Sequence, residues 1–478
     1  MIKRKLAALL ACAVTAVSVF GAAGCGGGRE LPPDADPDQI DLNIDSDISA
    51  TITVACENYD DEKNIVKAVA AELNKTYPNV KITLDPFSGD ISSTIVKKYN
   101  ANIMPDIFIC NSFDMFTLSD KNIMLNFTPY MQAEEKAGTF DTSEYYDAYM
   151  KLGQEGFNGK QYMIPRSADR VVVHYNKDIF KKAAAYTGVD ILSVVQNGWT
   201  WDEFDTVCTA LRKYYDENGM KSLYLIDSYM TWEAVFNPII ESYGGKYFDE
   251  NGDFALDSPE AENAYKHMKS WIDKRWVAPL TVNPANFAGG QGCMLFHSQA
   301  LSMTESKLRQ TYGFDKSVDM SQYYDVVSMP VMESNPLIGA GAAGYCAYRG
   351  TENPLLVWKF MKTLLTREGQ NALADTGCTY VPVRKDMADY TDPANHWGAG
   401  YQNYNLSAYV YKVGGIGADG EPEDDWNCCT DYFAVKKPKH ASKLNSAVSS
   451  SISSYMNGKS FDTVMQSLEK SFIATLKR

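Results

Sequence analysis

Between residues 50 and 110 the hydrophobic pattern switches back and forth between two periods. Ala50 to Ala55 is a short, β-branched apolar run that reads as a buried strand. Ile65, Val69 and Leu73 then recur at helical spacing, and Tyr77-Pro78-Asn79 ends that helix. Val80 to Leu84 reads as a second strand, Ser92 to Asn102 as a further helix, and Ile107 to Cys110 as a third strand. Strands separated by helices predict a parallel sheet covered on its faces. Ligands of such sheets lie beyond the carboxyl ends of the strands. Here those ends are Glu57-Asn58-Tyr59 and Asn111-Ser112-Phe113-Asp114.

A second informative stretch is Asn158 to Phe180. Charged residues from Arg166 to Arg170 separate a short run ending at Pro165 from the strand signal Val171-Val172-Val173. Tyr175-Asn176-Lys177-Asp178 then starts a helix. Unpaired charge is expensive in a core. An extended, charged passage fits a chain crossing from one lobe to another along a wet cleft. The same residues would also suit an edge strand with a solvated face.

The first 25 residues read as a leader. Lys3-Arg4-Lys5 is a positive start, Leu6 to Phe20 an apolar run, and Ala22-Ala23-Gly24 a small-residue cleavage site running into Cys25. This order resembles a bacterial lipobox, which implies a lipid on Cys25. An ordinary secretory signal with a chance cysteine is the alternative. Residues 26–47 are rich in Gly, Pro and Asp and read as a flexible tether. Past the leader no stretch approaches the ~20 apolar residues of a membrane span. With 45 Lys+Arg against 60 Asp+Glu the net charge is -15, which leaves no basic footprint for nucleic acid. Eight of the 10 Cys come after the leader. Cys56, Cys110, Cys293 and Cys346 sit in apolar runs as small hydrophobes, and Cys428-Cys429 is not a metal spacing. Free thiols are expected despite export.

Several motifs carry less than they promise. Gly339 to Gly344 fits G-x-G-x-x-G, but the strand-like Tyr345-Cys346-Ala347-Tyr348 comes next, where a dinucleotide site needs a helix. It reads as an inter-lobe crossing. The five His share no ligand spacing, so no metal or other cofactor is expected. No G-x-S-x-G elbow occurs, and no carboxylate pair stands out. Asp249 to Asp253 has part of a calcium-loop pattern, but its Asn-Gly pair suits a hairpin turn.

The segments ATITVACENYD, TYPNVKITLD, MPDIFICNSFDMF and NGKQYMIPRSADRVVVHYNKDIF together resemble the extracellular solute-binding proteins of ABC importers. The sugar-binding group that includes maltodextrin-binding protein is the most similar type. WTWDEF, FDENGDFALDSPEAENAY, FAGGQGCMLFHS, NPLLVWKFMKTLLTREGQ and GCTYVP continue the resemblance in order through the chain.

That resemblance implies an α/β fold of two lobes, each a mainly parallel sheet flanked by helices, joined by a hinge of crossing segments. One lobe would comprise 48–167 and 344–382, the other 168–343 and 383–478. It implies an exported, lipid-anchored monomer on the outer face of the membrane. Such a protein captures a carbohydrate, with an oligosaccharide the favoured class, and delivers it to an ABC permease without catalysis. An exported carbohydrate-active enzyme or a sensory binding protein on the same fold is the alternative. By position in the family pattern, the ligand contacts would be Asn58, Tyr59, Asn111, Asp114, Arg166, Asp169, Tyr229, Trp232, His297, Tyr380 and Trp426. Their chemistry suits a sugar, since Asp, Asn and Arg bond hydroxyls directionally and aromatic faces stack on pyranose rings. Where maltodextrin-binding protein has tryptophan after its first and third strands, this chain has Ala55-Cys56 and Cys110-Asn111. That departure leaves the individual sugar open.

Overall fold

A computed structural model describes residues 31–111, 114, 115, 118, 121–154, 159–227, 230–278, 286–298, 301–341, 343–411, 428–429 and 440–477. The strand–helix alternation of the first hundred residues forms as its periodicity predicts. β1 (Ala50–Glu57), α1 (Asp60–Leu73), β2 (Val80–Phe87), α2 (Ile91–Asn100) and β3 (Ile107–Asn111) come in that order. α3 (Thr128–Lys136) and α4 (Asp147–Leu152) precede β4 (Met163–Pro165). β5 (Asp169–Arg170) then leads into β6 (Val172–Asn176) and α5 (Lys177–Thr187).

The next part of the chain holds α6 (Ile191–Val194), α7 (Trp201–Glu217), β7 (Ile226–Asp227), α8 (Glu233–Ser242) and α9 (Pro259–Asp273). After these come β8 (Met294–His297), α10 (Leu301–Tyr312), β9 (Tyr324–Ser328), β10 (Ile338–Gly341) and β11 (Ala343–Ala347). α11 (Pro354–Leu365), α12 (Arg367–Ala374), β12 (Cys428–Cys429), α13 (Ala441–Met456) and α14 (Phe461–Leu476) complete the described elements.

Two sheets, one per lobe, organise these elements. Lobe 1 carries β2-β1-β3-β11-β4 and lobe 2 carries β7-β8-β6-β9. A short ribbon, β12-β10-β5, joins the crossing strands β5 and β10 to β12. In lobe 1, β1 is parallel to β2 and β3, as expected. In lobe 2 the expectation of a mainly parallel sheet fails. β6 is antiparallel to both β8 and β9, and only β7 and β8 are parallel. The reason is where each strand stands relative to the crossings. β6 leaves a crossing and runs away from it, whereas β9 runs back toward the next one. For the same reason β11, which enters lobe 1 from β10, is antiparallel to β3 and β4.

The crossings are paired with one another. Asp169 and Arg170 face Gly341 and Ala340, and the N–H of Ala168 donates to Val381 O at 2.9 Å. The G-x-G-x-x-G stretch therefore runs from strand β10 into strand β11, where a dinucleotide site needs a helix. Its glycines serve close approach. A Cβ on Gly339 would stand 1.6 Å from Ala234 O of α8, and one on Gly344 2.1 Å from Ile164 O of β4. Residues 379–384, expected as a third crossing, still touch lobe 1 at Val383 and Arg384. Tyr146 donates its N–H to Val383 O at 3.0 Å, and Arg384 pairs with Glu144 at 3.0 Å. Contact with lobe 2 resumes by Tyr404, whose ring packs on Tyr324 of β9.

Local signals elsewhere form as their chemistry requires. Thr200 and Glu203 make a capping box at the start of α7. Asp249 accepts from the N–H of Asn251 and of Asp253, and Gly252 takes φ +84, closing a hairpin turn. Cys56, Cys110, Cys208, Cys293, Cys346 and Cys378 are buried free thiols. The stretch read as a flexible tether behaves differently. From Leu31 onward its sparse apolar residues pack on lobe 1.

Candidate functional site

Several of the aromatic residues expected to meet ligand are partly exposed. Of the tryptophans among the described residues, Trp199, Trp201, Trp271, Trp276, Trp358 and Trp397 are buried in the core. Trp232 alone is half-buried. It is the N-cap residue of α8, with an extended backbone and no side-chain cap bond, so its indole is free of a capping duty. Its ring lies 5.8 Å from the ring of His297, at the carboxyl end of β8. Burial, with Lys307 nearby, lowers the His297 imidazole to about 4, so it is neutral at pH 7. A neutral imidazole offers one donor and one acceptor, which suits a hydroxyl.

On lobe 1, Tyr59 is the N-cap residue of α1 and one of the few large apolar side chains left exposed, at 37%. Its hydroxyl donates to Glu57 Oε2 at 3.0 Å. Tyr380, half-buried on the third crossing, accepts from Arg166 Nη2 at 3.3 Å, and the Arg166 guanidinium lies 4.8 Å from its ring centroid. The Tyr380 hydroxyl also lies 4.0 Å from Met303 Sδ on α10, and Ser302 N–H donates to Thr379 Oγ1 at 3.2 Å. The third crossing thus touches the first turn of a lobe-2 helix.

Arg166 itself is only 4% exposed. It forms an ion pair with Glu62, which is fully buried in the first turn of α1, and Tyr345 of β11 donates its hydroxyl to the same carboxylate. The Arg166 N–H donates to Ala343 O at 2.9 Å, and its carbonyl accepts from Gln370 Nε2 at 3.2 Å. Sequence reasoning placed Arg166 against ligand. Its guanidinium pairs with Glu62 and meets the hydroxyl and ring of Tyr380. Glu62 and Tyr345 escaped sequence reasoning, because an acid in a helix first turn and a tyrosine in an apolar strand are both ordinary.

The remaining expected contacts divide. Asn111 Oδ1 accepts from the Asp114 N–H at 2.7 Å and its Nδ2 donates to Asp114 Oδ2 at 2.8 Å. Asp114 is 7% exposed, and burial raises its carboxyl above the ordinary value. Asn58 is exposed beside Tyr59, with its Oδ1 3.5 Å from Lys63 Nζ. Asp169 contributes backbone to β5. Tyr229, Trp426 and Cys25 lie outside the described residues. A residue the sequence did not suggest is Asp227, at the carboxyl end of β7 and two residues before Tyr229. It is 8% exposed and accepts from the Phe287 N–H at 2.9 Å, and burial lifts its carboxyl to about 6. Among the described residues no group of three or more His, Cys, Asp or Glu could hold a metal ion.

Comparison with known proteins gives a consistent picture. The family profile described as bacterial extracellular solute-binding protein matches residues 59–371. The chain is 26% identical over 416 residues to an uncharacterised ABC transporter extracellular-binding protein of Pyrococcus horikoshii, covering 82% of this chain and 83% of that protein. It is 24% identical over 215 residues to the arabinooligosaccharide-binding protein of Bacillus subtilis, covering 44% of each. In fold it is similar to an ABC substrate-binding protein of Listeria monocytogenes solved in complex with cycloalternan. That match has a TM-score of 0.66 at 18% identity and covers 89% of this chain and 97% of the other.

Proposed function

The chain belongs to the bacterial extracellular solute-binding protein family, and from that premise we propose that it captures an oligosaccharide between its lobes and delivers it to an ABC permease. The observation that supports this reading is two sets of partly exposed rings, Tyr380 beside the Arg166 guanidinium and Trp232 beside His297. Tyr59, at the start of α1, is exposed as well. Flat apolar faces in a polar surround suit pyranose or furanose rings, which present C–H faces and hydroxyl edges. The similarity to an arabinooligosaccharide-binding protein and to a cycloalternan complex supports an oligosaccharide over a monosaccharide.

In this reading the four aromatic residues touch the sugar, with Asn58, Asp169, Tyr229 and Trp426 as further polar and stacking contacts. Arg166, Asn111 and Asp114 act from behind, holding the loops that carry the contacts. The protein binds without catalysis, works as a monomer, and is held to the outer face of the membrane by a lipid on Cys25.

A thermal-shift screen over arabino-, malto- and cyclic oligosaccharides finds the ligand, and calorimetry then compares Trp232→Ala with wild type. Loss of the indole is expected to cost about 1–3 kcal/mol of binding, the scale for burying such a side chain. The ligand-free melting temperature should stay nearly constant. Chromatographic evidence of sugar turnover, or a screen in which only non-sugar solutes bind, would overturn the reading.

A further inference from the structure

The amino-terminal stretch is a strap laid on lobe 1. Leu31, Ala35, Ile40, Ile44 and Ile48 each pack a partly buried side chain against the core. Polar contacts hold the strap along its length. Arg349 Nε donates to Pro32 O at 2.6 Å, and Arg349 Nη2 lies 3.3 Å from Asp34 Oδ1. The other Asp34 oxygen accepts from Asn126 Nδ2 at 3.2 Å and pairs with Lys160 Nζ at 3.3 Å. The short 3-10 turn Pro37–Gln39, N-capped by Asp36, lies on α3, where Asp38 pairs with Lys136 Nζ at 2.9 Å. At the far end Asn79 Nδ2 donates to Asp47 O at 3.3 Å, just before β1. One exposed ion pair stabilises little. Here Asp34 meets two cations and an amide at once, and apolar burial accompanies them.

We propose that this strap ties lobe 1 to the membrane on a short leash, with the surface bearing Asn126, Lys160 and Arg349 turned to the bilayer. Lobe 2 is then the lobe that moves. The inference rests on reading Cys25 as the lipid-bearing residue. Residues 26–30 separate Cys25 from Leu31. Fully extended, that span reaches about 20 Å, and as a flexible chain its root-mean-square length is about 13 Å. A tether left free as far as residue 47 would have about twice that length. The bilayer is the occupant of this face because the anchored chain ends beside it. The excess of acid over base, larger once the leader is removed, would drive a loosely held body away from anionic headgroups.

The test uses full-length lipidated protein in phosphatidylcholine–phosphatidylglycerol vesicles, with a donor fluorophore on Gln132→Cys, an exposed position on α3. Energy transfer to headgroup acceptors is read against the unsubstituted protein as the labelling blank. The strap is released by Asp34→Lys with Ile40→Asp. Mass spectrometry checks the lipid on Cys25, and hydrogen exchange on soluble Cys25→Ala protein reports residues 31–48 independently of the anchor. The expected result is a protected strap in wild type, lost in the release variant, together with a fall in transfer on release. Free-chain exchange over residues 31–48 in wild type overturns the strap. Equal transfer before and after a verified release, with lipid present, overturns the membrane-facing surface. Absence of lipid on Cys25 overturns the anchor reading and the membrane half of the inference with it, while exchange still reports whether the strap exists.

Discussion

Arg166 and Glu62 form a buried ion pair whose two members belong to different parts of lobe 1, the first crossing and the first turn of α1. Removing one member of such a pair strands the other in a low dielectric, at a typical cost of about 3–5 kcal/mol. Arg166→Ala and Glu62→Ala are therefore expected to lower the ligand-free melting temperature clearly, unlike Trp232→Ala. Equal melting of Arg166→Ala and wild type would return Arg166 to the ligand surface. His174 makes a second prediction. It is fully buried on β6, and neither ring nitrogen has a hydrogen-bond partner among the described residues. Burial, followed by His297 and Lys307, lowers its imidazole to about 3. The folded value lies below the unfolded value of about 6.5. Below that pH the unfolded chain binds the proton first, so stability present above it is lost as pH falls toward 3. His174→Leu should lessen the drop in melting temperature between pH 7 and pH 4. An unchanged pH profile would show that other groups dominate it.

At the scale of elements, the hinge and the aromatic wall are joined through α8. Trp232 is the N-cap residue of α8, and Ala234 in its first turn lies against Gly339 of β10. A methyl group at position 339 would stand 1.6 Å from the Ala234 carbonyl oxygen, so α8 or β10 has to shift. Gly339→Ala is expected to weaken ligand binding by displacing Trp232, as well as to destabilise the protein. Calorimetry on a folded Gly339→Ala preparation checks this, and wild-type affinity there would separate hinge from wall. The helices and the first three strands were legible because each is a local pattern. Thr200 and Glu203, three residues apart, cap α7 with no help from elsewhere. Around the G-x-G-x-x-G letters the strand character of Tyr345 to Tyr348 and the inter-lobe crossing were legible. That Gly339 and Gly344 admit α8 and β4 depends on elements far away in sequence.

Over the whole molecule, few residues join the lobes. β5 has two residues and β10 has four. Such short crossings concentrate backbone change in a few positions, the usual arrangement for hinge closure. Ligand binding is expected to reduce the radius of gyration by X-ray scattering, and an unchanged radius at saturating oligosaccharide would count against closure. The sequence by itself determined the α/β alternation of lobe 1, the crossing near Arg166 and the hairpin at Asn251-Gly252. Each of these is written within a dozen or so neighbouring residues, where periodicity and turn chemistry act. Only the tertiary structure decided the antiparallel course of β6, the pairing of Arg166 with Glu62 across 104 positions, and the docking of Asp34 on Asn126 across 92. Those features join segments whose meeting depends on how the chain returns through the hinge, and no local pattern encodes that return.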